Sequence, residues 1–397
     1  MKKNSLKTGP DDLGYYGEGE KAMGGMAVGE TLMPALPELN DGFEDAIKDK
    51  DFLDEFAYYC KHYIGRPSPL YFAENLTKKI VSAKILFKQE HLNHTGSHKI
   101  TNSLFQILLA KRMGKSHLIC ESGAGQHYSA TAAVAAKFNM PLVGVMGDID
   151  VARVNQNIIK AKHYGAKLKT VPGTLKEAIT DAIKTWTTNP EYAYICGSVV
   201  SSSPFPKIVA FAQSIIGREI REQSMSQEGK IPDMICGCVG GGSNFAGAIY
   251  EFLDEPSVTK IGVEAHETAA LTNGTPGIMQ GMKTYMLQTD DGAKSLGGMS
   301  LGAGITYFSV GPLHSYLKDQ GAVQYSSATD KEMLEAYKII AQTEGICSAL
   351  EPMAAAAEII FRQAKDKPKD YIICLSLCGR GEKDLDTIQE HIGKDFE

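Results

Sequence analysis

Two segments of the sequence have residue types that could do chemistry together. The first holds Lys99 in the run His94-Thr-Gly-Ser-His-Lys-Ile-Thr-Asn102. A lysine that forms a Schiff base needs a walled pocket in which its amine is neutral, and the flanking His98 and apolar Ile100 fit that setting. Lys99 is therefore a candidate for covalent attachment of a carbonyl compound.

The second segment is a glycine-rich turn, Gly240-Gly-Gly-Ser-Asn244. It follows the apolar run Met234-Ile-Cys-Gly-Cys-Val239 and precedes Phe245-Ala-Gly-Ala-Ile-Tyr250, which is compatible with a helix. Such a turn exposes backbone N–H groups to a phosphate anion. Together, the two segments suggest a lysine-bound pyridoxal phosphate. Each also has a plainer interpretation, a solvated lysine at a helix start and a tight strand-to-helix turn.

The pattern from Ser82 onward predicts the elements that must position these residues. Short apolar runs alternate with helix-length segments, at 84–87, 117–120, 141–146, 168–171, 234–236, 260–263 and 371–375. This alternation predicts an α/β fold of mainly parallel twisted sheets flanked by helices. Apolar residues recur at helical spacing over 176–186, which predicts a helix there. The segment 264–302 is rich in Gly, Thr and Asp, which predicts loops and irregular structure near a ligand cleft.

Length and charge narrow the class of protein. A chain of 397 residues can bury a large core and predicts two lobes. The net charge is −6, Lys and Arg are scattered, and no apolar run reaches the roughly 18 residues of a membrane span. The N-terminus lacks the apolar core of a signal peptide. We therefore expect a cytoplasmic protein with neither nucleic acid nor membrane as a partner.

The eight cysteines are too sparse for a disulfide scaffold, so reduced thiols are expected. The spacing of Cys236 with Cys238, and of Cys374 with Cys378, raises the possibility of zinc. All four lie in apolar, strand-like runs without matching histidines. This setting favours cysteines that act as small buried hydrophobic residues.

A third segment, Glu121-Ser-Gly-Ala-Gly-Gln-His127, gives the two motifs a context. With it, the chain resembles the family of tryptophan synthase β subunits, which are fold-type II pyridoxal phosphate enzymes. The resemblance runs nearly end to end. It also includes Gly29-Glu-Thr-Leu-Met-Pro-Ala35, Gly65-Arg-Pro-Ser-Pro-Leu-Tyr-Phe-Ala73, Gly197-Ser-Val-Val200, Ile216-Gly-Arg-Glu219, Gly281-Met-Lys-Thr-Tyr285, Gly311-Pro-Leu-His-Ser-Tyr316, Glu344-Gly-Ile346 and Gly379-Arg-Gly-Glu-Lys-Asp384.

The resemblance implies a division of the chain into lobes. Residues 1–83 would form an N-terminal segment that packs on both lobes, 84–204 the N-terminal lobe, and 205–397 the C-terminal lobe that binds the cofactor phosphate. A mobile communication segment at about 114–200 would close over the site, as the family's does. It would carry Arg153, a lid residue, and Lys176, which matches a family residue used in closure or cross-talk. Judged by their surroundings alone, both are solvated helix charges.

The same resemblance implies roles for the site residues. Lys99 would hold the cofactor, release it to the amino acid substrate and remove the substrate's Cα proton. The cofactor phosphate would be bound by His98 and by the turn Gly240, Gly241, Gly242, Ser243 and Asn244. The substrate carboxylate would be bound by backbone N–H groups of Ser122, Gly123, Ala124, Gly125, Gln126 and His127, with Gln126 near the cofactor's hydroxyl.

Two glutamates are candidates for the site. Glu121 ends an apolar run, where its carboxyl could be partly desolvated and ready for proton transfer. The resemblance makes it the acid–base residue; otherwise it would be a loop charge. Glu351, in Ala349-Leu-Glu-Pro352, matches a family glutamate near the cofactor ring. Its plainer interpretation is an acid favoured by a helix dipole.

Several residues in the predicted pocket depart from the family pattern. Tyr128 stands where the family has glycine, so its ring could narrow the nucleophile pocket or pack sideways. Thr306 stands where an aspartate contacts serine and pairs with the lid arginine, so Arg153 lacks that partner. A missing negative charge beside the leaving group would favour a bulkier or anionic group such as phosphate. Leu313 replaces a glutamate, and the loop after Glu264 is shorter than usual; both bear on closure.

Cys378 aligns with the serine that usually faces the pyridine nitrogen. A neutral thiol still leaves this nitrogen largely unprotonated. The cofactor is then a weaker electron sink, which preserves β-elimination and β-replacement over transamination.

The predicted function is that of a β-replacement lyase. L-serine would be dehydrated to an enzyme-bound aminoacrylate, which indole attacks to give L-tryptophan and water; Lys99 and Glu121 support this reaction. The alternative is β-replacement or β-elimination on phosphoserine or threonine, or with a nucleophile other than indole, which Tyr128, Thr306 and Cys378 support. A non-catalytic paralogue is a third interpretation, which the retained Lys99, Glu121 and phosphate glycines disfavour.

The resemblance also implies partners. The family forms a β-chain homodimer, which commonly binds an α chain that delivers indole. A monovalent cation, K⁺ or Na⁺, is implied because Gly240, Tyr307 and Ser309 match positions that offer backbone carbonyls.

Overall fold

The computed structural model describes residues 6–7, 9–81, 83–152 and 155–396. Its strands are β1 (Tyr15–Tyr16), β2 (Met23–Gly24), β3 (Leu70–Phe72), β4 (Lys84–Lys88), β5 (His117–Glu121), β6 (Leu142–Gly147), β7 (Lys167–Val171), β8 (Tyr192–Ile195), β9 (Met234–Cys238), β10 (Thr259–Ala265), β11 (Thr275–Met279), β12 (Met282–Met286), β13 (Gln324–Ala328) and β14 (Ile372–Ser376).

Its α-helices are α1 (Ala35–Ala46), α2 (Lys50–Tyr59), α3 (Glu74–Ile80), α4 (Lys99–Arg112), α5 (Gln126–Lys137), α6 (Asp148–Val151), α7 (Asn155–His163), α8 (Leu175–Thr188), α9 (Phe205–Gln213), α10 (Ile215–Glu228), α11 (Ser243–Ile249), α12 (Ala270–Asn273), α13 (Pro312–Asp319), α14 (Asp330–Glu344), α15 (Glu351–Glu358) and α16 (Leu385–Ile392). Short 3₁₀ and π segments lie between several of them.

The chain divides into two compact units, each with its own sheet. Unit 1 holds the residues up to Ala27, Ser68–Leu92 and the residues from Ser198 onward. Unit 2 holds Val28–Pro67 and Asn93–Gly197. Both units draw on separated parts of the sequence, so neither corresponds to one uninterrupted stretch of chain.

Unit 2 is built on a four-stranded sheet in the order β7-β6-β5-β8, and every pair in it is parallel. The helices α4 and α5 are buried along nearly their whole length. This burial explains why α4 has apolar residues on several faces, as a helix enclosed in a core requires. The N-terminal ends of both helices carry predicted site residues, Lys99 and Gln126.

Unit 1 contains two sheets. The larger has six strands in the order β13-β10-β9-β14-β4-β3, all parallel except β3. Its central strands are buried, among them Ile85, Cys236, Val263 and Ile373, and they form the core with α14 and α15. Parallel strands covered on both faces read as continuous apolar runs, which is the pattern the sequence has. The smaller sheet is antiparallel, in the order β1-β2-β12-β11.

The predicted α/β class is confirmed, and each predicted apolar run forms a strand of the two parallel sheets. The helix predicted over 176–186 is α8, which begins with a capping box between Thr174 and Glu177. The segment 264–302 differs from the expectation of irregular structure, because it contains the β11–β12 hairpin. Gln280, with φ +48°, and Gly281, with φ +78°, turn that hairpin.

The predicted lobe boundary at residue 84 is not where the chain changes unit. β4 (84–88) lies in the sheet of unit 1, because it pairs in parallel with β14 along its whole length. The chain enters unit 2 only at Asn93. Of the first 83 residues, 28–67 belong to unit 2 and the others to unit 1. Among the described residues no helix is long and apolar enough to cross a membrane.

Candidate active site

Lys99 is the first residue of α4 and is half-buried. The Ser97 hydroxyl accepts the backbone N–H of Lys99 at 3.3 Å, which helps to begin the helix. The Lys99 side chain donates a hydrogen bond from Nζ to the carbonyl oxygen of Gly197. The amine therefore has a defined position within unit 2. His98, the residue before the helix, is buried.

Polar residues of α4 also bind the backbone of Cys196, the residue before Gly197. Asn102 Nδ2 and Gln106 Nε2 each donate to the Cys196 carbonyl at 2.8 Å. Gln106 Oε1 accepts the Cys196 N–H at 3.0 Å. Residues 99, 102 and 106 lie on one helix face by their spacing. The sequence analysis missed Asn102 and Gln106, although two amides at helical spacing from a reactive lysine are a usable signal.

Glu121 ends β5 and is 5% exposed. Its Oε1 accepts the Gly197 N–H at 3.2 Å, and its Oε2 is buried without a hydrogen-bond partner. Burial raises the pKa of Glu121 to about 7, against the opposing effects of a hydrogen bond from Tyr194, the Gly197 N–H and the charge of Lys99. Gly197 is thus joined to Glu121 through its N–H and to Lys99 through its carbonyl.

Gly197 has no room for a side chain, because a Cβ there would lie 2.6 Å from the His127 ring. His127 is buried, and its Nε2 lies 2.8 Å from the Ile195 carbonyl. Since a carbonyl can only accept, this nitrogen carries the proton. Burial, aided by the charge of Lys99, lowers the pKa of His127 to about 3. His127 is therefore a neutral packing group at neutral pH, and its side chain is not available as a base.

The predicted carboxylate loop, 122–127, follows β5 and includes the first two residues of α5. Gly125 has φ +72°, a left-handed conformation that favours glycine. Asn157 Nδ2, from α7, donates to the Ala124 carbonyl at 2.9 Å. Because the N–H and C=O of a trans peptide point in opposite directions, this bond turns the following N–H away from Asn157. The loop therefore has a fixed backbone orientation, which an anion-binding loop requires.

In unit 1 the predicted phosphate turn, Gly240–Asn244, connects β9 to α11. A Cβ on Gly240 would lie 2.7 Å from the Cα of Ile305, and one on Gly241 1.9 Å from the Ser198 hydroxyl. Gly242 has φ +98°. Glycine is thus needed at each of the three positions. Asn244 is 4% exposed, and neither atom of its side-chain amide has a hydrogen-bond partner.

These observations fit a bound phosphate. Buried polar groups are nearly always paired, so an unpaired buried amide at the end of a glycine turn indicates a polar group that binds there. The close packing around the turn also excludes side chains at Gly240, Gly241 and Gly242, so none of these residues can place a side chain between its backbone and a ligand. The turn is therefore suited to the phosphate of pyridoxal phosphate.

Glu351 begins α15 in unit 1 and is 5% exposed. Its Oε1 accepts Lys383 Nζ at 2.8 Å and the Gly304 N–H at 2.7 Å. Burial alone would raise the pKa of Glu351, but the charge and hydrogen bond of Lys383, with backbone N–H groups, bring it below its usual value. Lys383 also bonds Asp384 at 2.7 Å. Glu351 is thus a fixed negative charge.

Cys378 follows β14 and is buried, with its Sγ 3.6 Å from Cys238 Sγ. A hydrogen bond with Cys238 and burial raise the pKa of Cys378 well above the ordinary value of a thiol. The thiol is therefore neutral at neutral pH, as the sequence predicted. Cys374 is also a buried free thiol, whereas Cys347 is exposed.

The structure gives definite positions to two of the departures from the family pattern. Tyr128 is fully buried, and a Cβ built on Gly144 would lie 2.2 Å from two carbons of its ring. The ring is therefore packed sideways on strand β6. The Thr306 hydroxyl contacts the carbonyls of Ser300 at 3.3 Å and Gly302 at 3.2 Å. Arg153 lies outside the described residues.

The structure therefore brings the predicted residues together in two groups, one in each unit. In unit 2, Lys99, Glu121 and His127 surround Gly197. In unit 1, the turn from Gly240 contacts the 304–305 segment, which in turn contacts Glu351. The residues predicted to offer carbonyls to a cation, Tyr307 and Ser309, follow that segment, and the buried Ser309 hydroxyl lacks a hydrogen-bond partner.

Comparison with known proteins identifies the class. Residues 62–379 match the family described as pyridoxal-phosphate dependent enzymes. Two solved structures share the fold at 19% sequence identity: an O-ureido-L-serine synthase (TM-score 0.63, covering 83% of this chain and 92% of that one) and a threonine deaminase from T.th. (TM-score 0.64, 87% and 98%). The chain has the fold-type II architecture of this class, and pyridoxal phosphate is the cofactor.

Relatives with higher identity narrow the class to one family. A protein of Dinoroseobacter shibae is 46% identical over 99% of this chain and 98% of its own length. One of Allorhizobium ampelinum is 47% identical over 98% of each. Both are named tryptophan synthase beta chain. This chain belongs to the tryptophan synthase beta chain family, as the predicted resemblance implied.

Proposed function

We propose that the protein joins L-serine and indole to give L-tryptophan and water. The observation that carries this proposal is the link through Gly197, which holds Lys99 and Glu121 on its two sides. A β-replacement needs one group that moves the substrate's Cα proton and another that exchanges a proton with the leaving hydroxyl. The names of the relatives from Dinoroseobacter shibae and Allorhizobium ampelinum support the same reaction.

Lys99 performs the first proton transfer in this proposal. When bound, pyridoxal phosphate supplies an electron sink for negative charge at the Cα atom of an attached amino acid. The Lys99 amine would hold the cofactor and, once released from it, would accept the Cα proton. Its hydrogen bond to Gly197 holds the amine in one position, and Asn102 and Gln106 fix the adjoining Cys196 peptide.

Glu121 performs the second proton transfer. A carboxyl with a pKa of about 7 is protonated in a large fraction of molecules near neutral pH. It can therefore donate a proton to the departing serine hydroxyl and accept one when indole adds. Its unpaired Oε2 is the atom available for this exchange. The segment 122–127, in which Asn157 holds the Ala124 carbonyl, binds the substrate carboxylate.

The direct test is product identification by mass spectrometry after the cofactor-loaded protein is incubated with indole and L-serine. We expect tryptophan. The matched control is Lys99→Ala, which keeps the glycine turn but cannot attach the cofactor and is expected to form no tryptophan. Pyruvate alone, or no product, from the unmodified protein would contradict the proposal.

A second candidate function rests on Thr306, whose neutral hydroxyl is occupied by loop carbonyls. Without a carboxylate at this position, an anionic leaving group is not repelled. The second candidate is therefore β-replacement or β-elimination on O-phosphoserine. It predicts that phosphoserine outcompetes serine and that Thr306→Asp reverses the preference. If phosphoserine neither changes the cofactor spectrum nor competes with serine, this candidate fails.

We also propose assembly partners for this activity. The relatives carry the name beta chain, which supports a companion α chain, and the family resemblance implies a second copy of this chain. The mass in solution, measured with and without an α chain, tests both. A K⁺ or Na⁺ ion held by the carbonyls of Gly240, Tyr307 and Ser309 is supported by the close approach of the 240 and 304–305 segments. Activity in K⁺ or Na⁺, compared with a bulky organic cation, tests that site.

A further inference from the structure

The segment Gly311–His314 contacts the back of the phosphate turn at two successive carbonyls. The Gly311 N–H donates to the Gly241 carbonyl at 3.1 Å. His314 Nε2 lies 2.8 Å from the Gly242 carbonyl, which also accepts the first helical bond of α11 from Ala246 at 2.9 Å. His314 is completely buried, and its ring is stacked on Phe245 at a centroid distance of 5.9 Å.

Each ring nitrogen of His314 has one hydrogen-bond partner, and these partners establish which nitrogen carries the proton. The Gly242 carbonyl can only accept, so Nε2 must donate. Burial lowers the pKa of His314 to about 4, so the ring is neutral at neutral pH and Nδ1 is an acceptor. The Tyr325 hydroxyl, 2.9 Å from Nδ1, must then be the donor. The Gly242 carbonyl therefore requires the Nε2–H tautomer, and the Tyr325 hydroxyl stabilises this tautomer by donating to Nδ1.

The two contacts have a consequence for the N–H groups of the turn. In a trans peptide the N–H points opposite to the C=O. Holding the carbonyl of Gly241 fixes the N–H of Gly242, and holding the carbonyl of Gly242 fixes the N–H of Ser243. Both N–H groups are thereby turned away from Gly311 and His314. A side chain at Gly242 is excluded, because its Cβ would lie 2.2 Å from His314 Nε2.

We propose that His314, in the Nε2–H tautomer that the Gly242 carbonyl requires and Tyr325 stabilises, is a positioning residue for recognition of the cofactor phosphate. It contacts the carbonyl side of the turn, and it acts by orienting the N–H groups that bind the anion. The proposal rests on the proposed assignment of Gly240–Asn244 as the phosphate site. It also gives a physical reason for the histidine in the segment Gly311-Pro-Leu-His314, which no step of the proposed reaction uses.

The test compares binding of pyridoxal phosphate with binding of pyridoxal, which lacks the phosphate, to the cofactor-free full-length protein. Titrations are followed by the absorbance of the lysine-bound aldehyde. His314→Leu removes the donor and leaves a buried carbonyl short of a partner, so we expect the preference for pyridoxal phosphate to fall about tenfold or more. His314→Gln keeps an N–H donor and is expected to recover part of the preference. Tyr325→Phe is expected to give an intermediate loss.

Tyr337→Phe is the matched control. Tyr337 is a buried tyrosine of unit 1 whose hydroxyl hydrogen-bonds Cys347 and not His314. Its removal is expected to leave the preference unchanged. A purely structural role of His314 would instead weaken both ligands equally in His314→Leu, and that result would overturn the proposal. If His314→Leu does not fold, the proposal is tested with Tyr325→Phe, by the ratio of its affinities for pyridoxal phosphate and pyridoxal.

Nitrogen NMR of the cofactor-free protein gives a second measurement. We expect the shift of a neutral histidine protonated at Nε2, and a changed Nδ1 shift in Tyr325→Phe, in which Nδ1 no longer accepts a hydrogen bond. A proton on Nδ1 would overturn the proposal. If the unmodified protein shows no preference for pyridoxal phosphate over pyridoxal, the assignment of the phosphate turn is at fault, whereas the tautomer measurement still reports on His314.

Discussion

Unit 2 and unit 1 each bury one glutamate of the predicted site, and the two have opposite acid–base character. Glu121 and Glu351 are both 5% exposed, so both lose the same favourable contact with water. Burial dominates at Glu121 and raises its pKa to about 7. At Glu351 burial is opposed by the charge and the hydrogen bond of Lys383 together with backbone N–H groups, and the pKa is below its usual value.

The difference lies in the partners rather than in the depth of burial. Lys383 bonds the Glu351 carboxylate directly at 2.8 Å. Lys99, the cation near Glu121, is instead bonded to the carbonyl side of Gly197, and its charge lowers the pKa of Glu121 less than the hydrogen bonds from Tyr194 and Gly197 do. A glutamate with a direct ion pair is a fixed charge, whereas one with only N–H and hydroxyl partners can exchange a proton near neutral pH.

The largest expected effect is that of Glu121→Gln on turnover. Loss of a general acid–base group typically lowers kcat by about 100- to 10,000-fold, and tryptophan formation should fall within that range. Cofactor attachment to Lys99 should remain, as judged by absorbance. Glu351→Gln serves as the comparison and should have a smaller effect on kcat. Equal losses in the two variants would break the distinction between the proton-exchanging and the fixed glutamate.

The next effect is on stability. Lys383→Met removes the partner of a buried carboxylate and should lower the free energy of unfolding by about 3–5 kcal/mol. Lys383→Arg, which keeps the charge, should lose less. Urea unfolding monitored by circular dichroism measures both. If Lys383→Met is as stable as the unmodified protein, then Glu351 is not held as a charge by this pair.

The two glutamates should also give stability opposite dependences on pH. The pKa of Glu121 is higher in the folded chain than the unfolded value of 4.5, so its contribution is present below pH 4.5 and is lost as the pH rises through about 7. Relative to Glu121→Gln, the unmodified protein should lose about 3 kcal/mol over this range.

The contribution of Glu351 has the opposite sign. Its pKa is lower in the folded chain, so its contribution is present above pH 4.5 and is lost as the pH falls through the folded value. Unfolding free energies of the unmodified protein, Glu121→Gln and Glu351→Gln, measured in urea from pH 4 to pH 8, check both directions. If the unfolding free energies of the three proteins changed with pH in the same way, the predicted difference between Glu121 and Glu351 would be wrong.

The smallest expected effect is that of Tyr128→Phe. The Tyr128 hydroxyl is buried without a hydrogen-bond partner, and the ring packs on Gly144. Removal of the hydroxyl should change stability by about 1 kcal/mol or less and leave the KM for indole unchanged. Gly144→Ala is the contrasting variant. Its added methyl group would clash with the Tyr128 ring, so it should lower the free energy of unfolding. A changed KM for indole in Tyr128→Phe would instead indicate that Tyr128 lines the nucleophile pocket.

Much of the parallel architecture was predictable, because strands buried on both faces read as uninterrupted apolar runs. The position of Glu121 at a strand end followed from the same runs, whereas a helix start at Lys99 was the plainer interpretation of that lysine. The β11–β12 hairpin was missed, because Gly277 and Pro276 interrupt its apolar pattern. Its strand pairing depends on a neighbour, β2, that is distant in sequence.

The parts of the site that could not be predicted depend on contacts between distant positions. The direction of the Tyr128 ring depends on the space over Gly144, which only the fold brings beside it. The low pKa of Glu351 depends on Lys383 in a later segment. The sequence shows which residues are charged or bulky, but the residues that each of them contacts are determined by the packing of the folded chain.

The pairing of β14 with both β4 and β9 has a consequence for how the chain is made on the ribosome. β4 emerges early, yet its parallel neighbour occupies residues 372–376 and emerges almost last. The strands of unit 2 lie within 117–195, so that unit can assemble while synthesis continues. In nascent chains that end before residue 372, unit 2 should therefore resist protease and unit 1 should remain sensitive. Protease digestion of stalled ribosome complexes tests this order of folding.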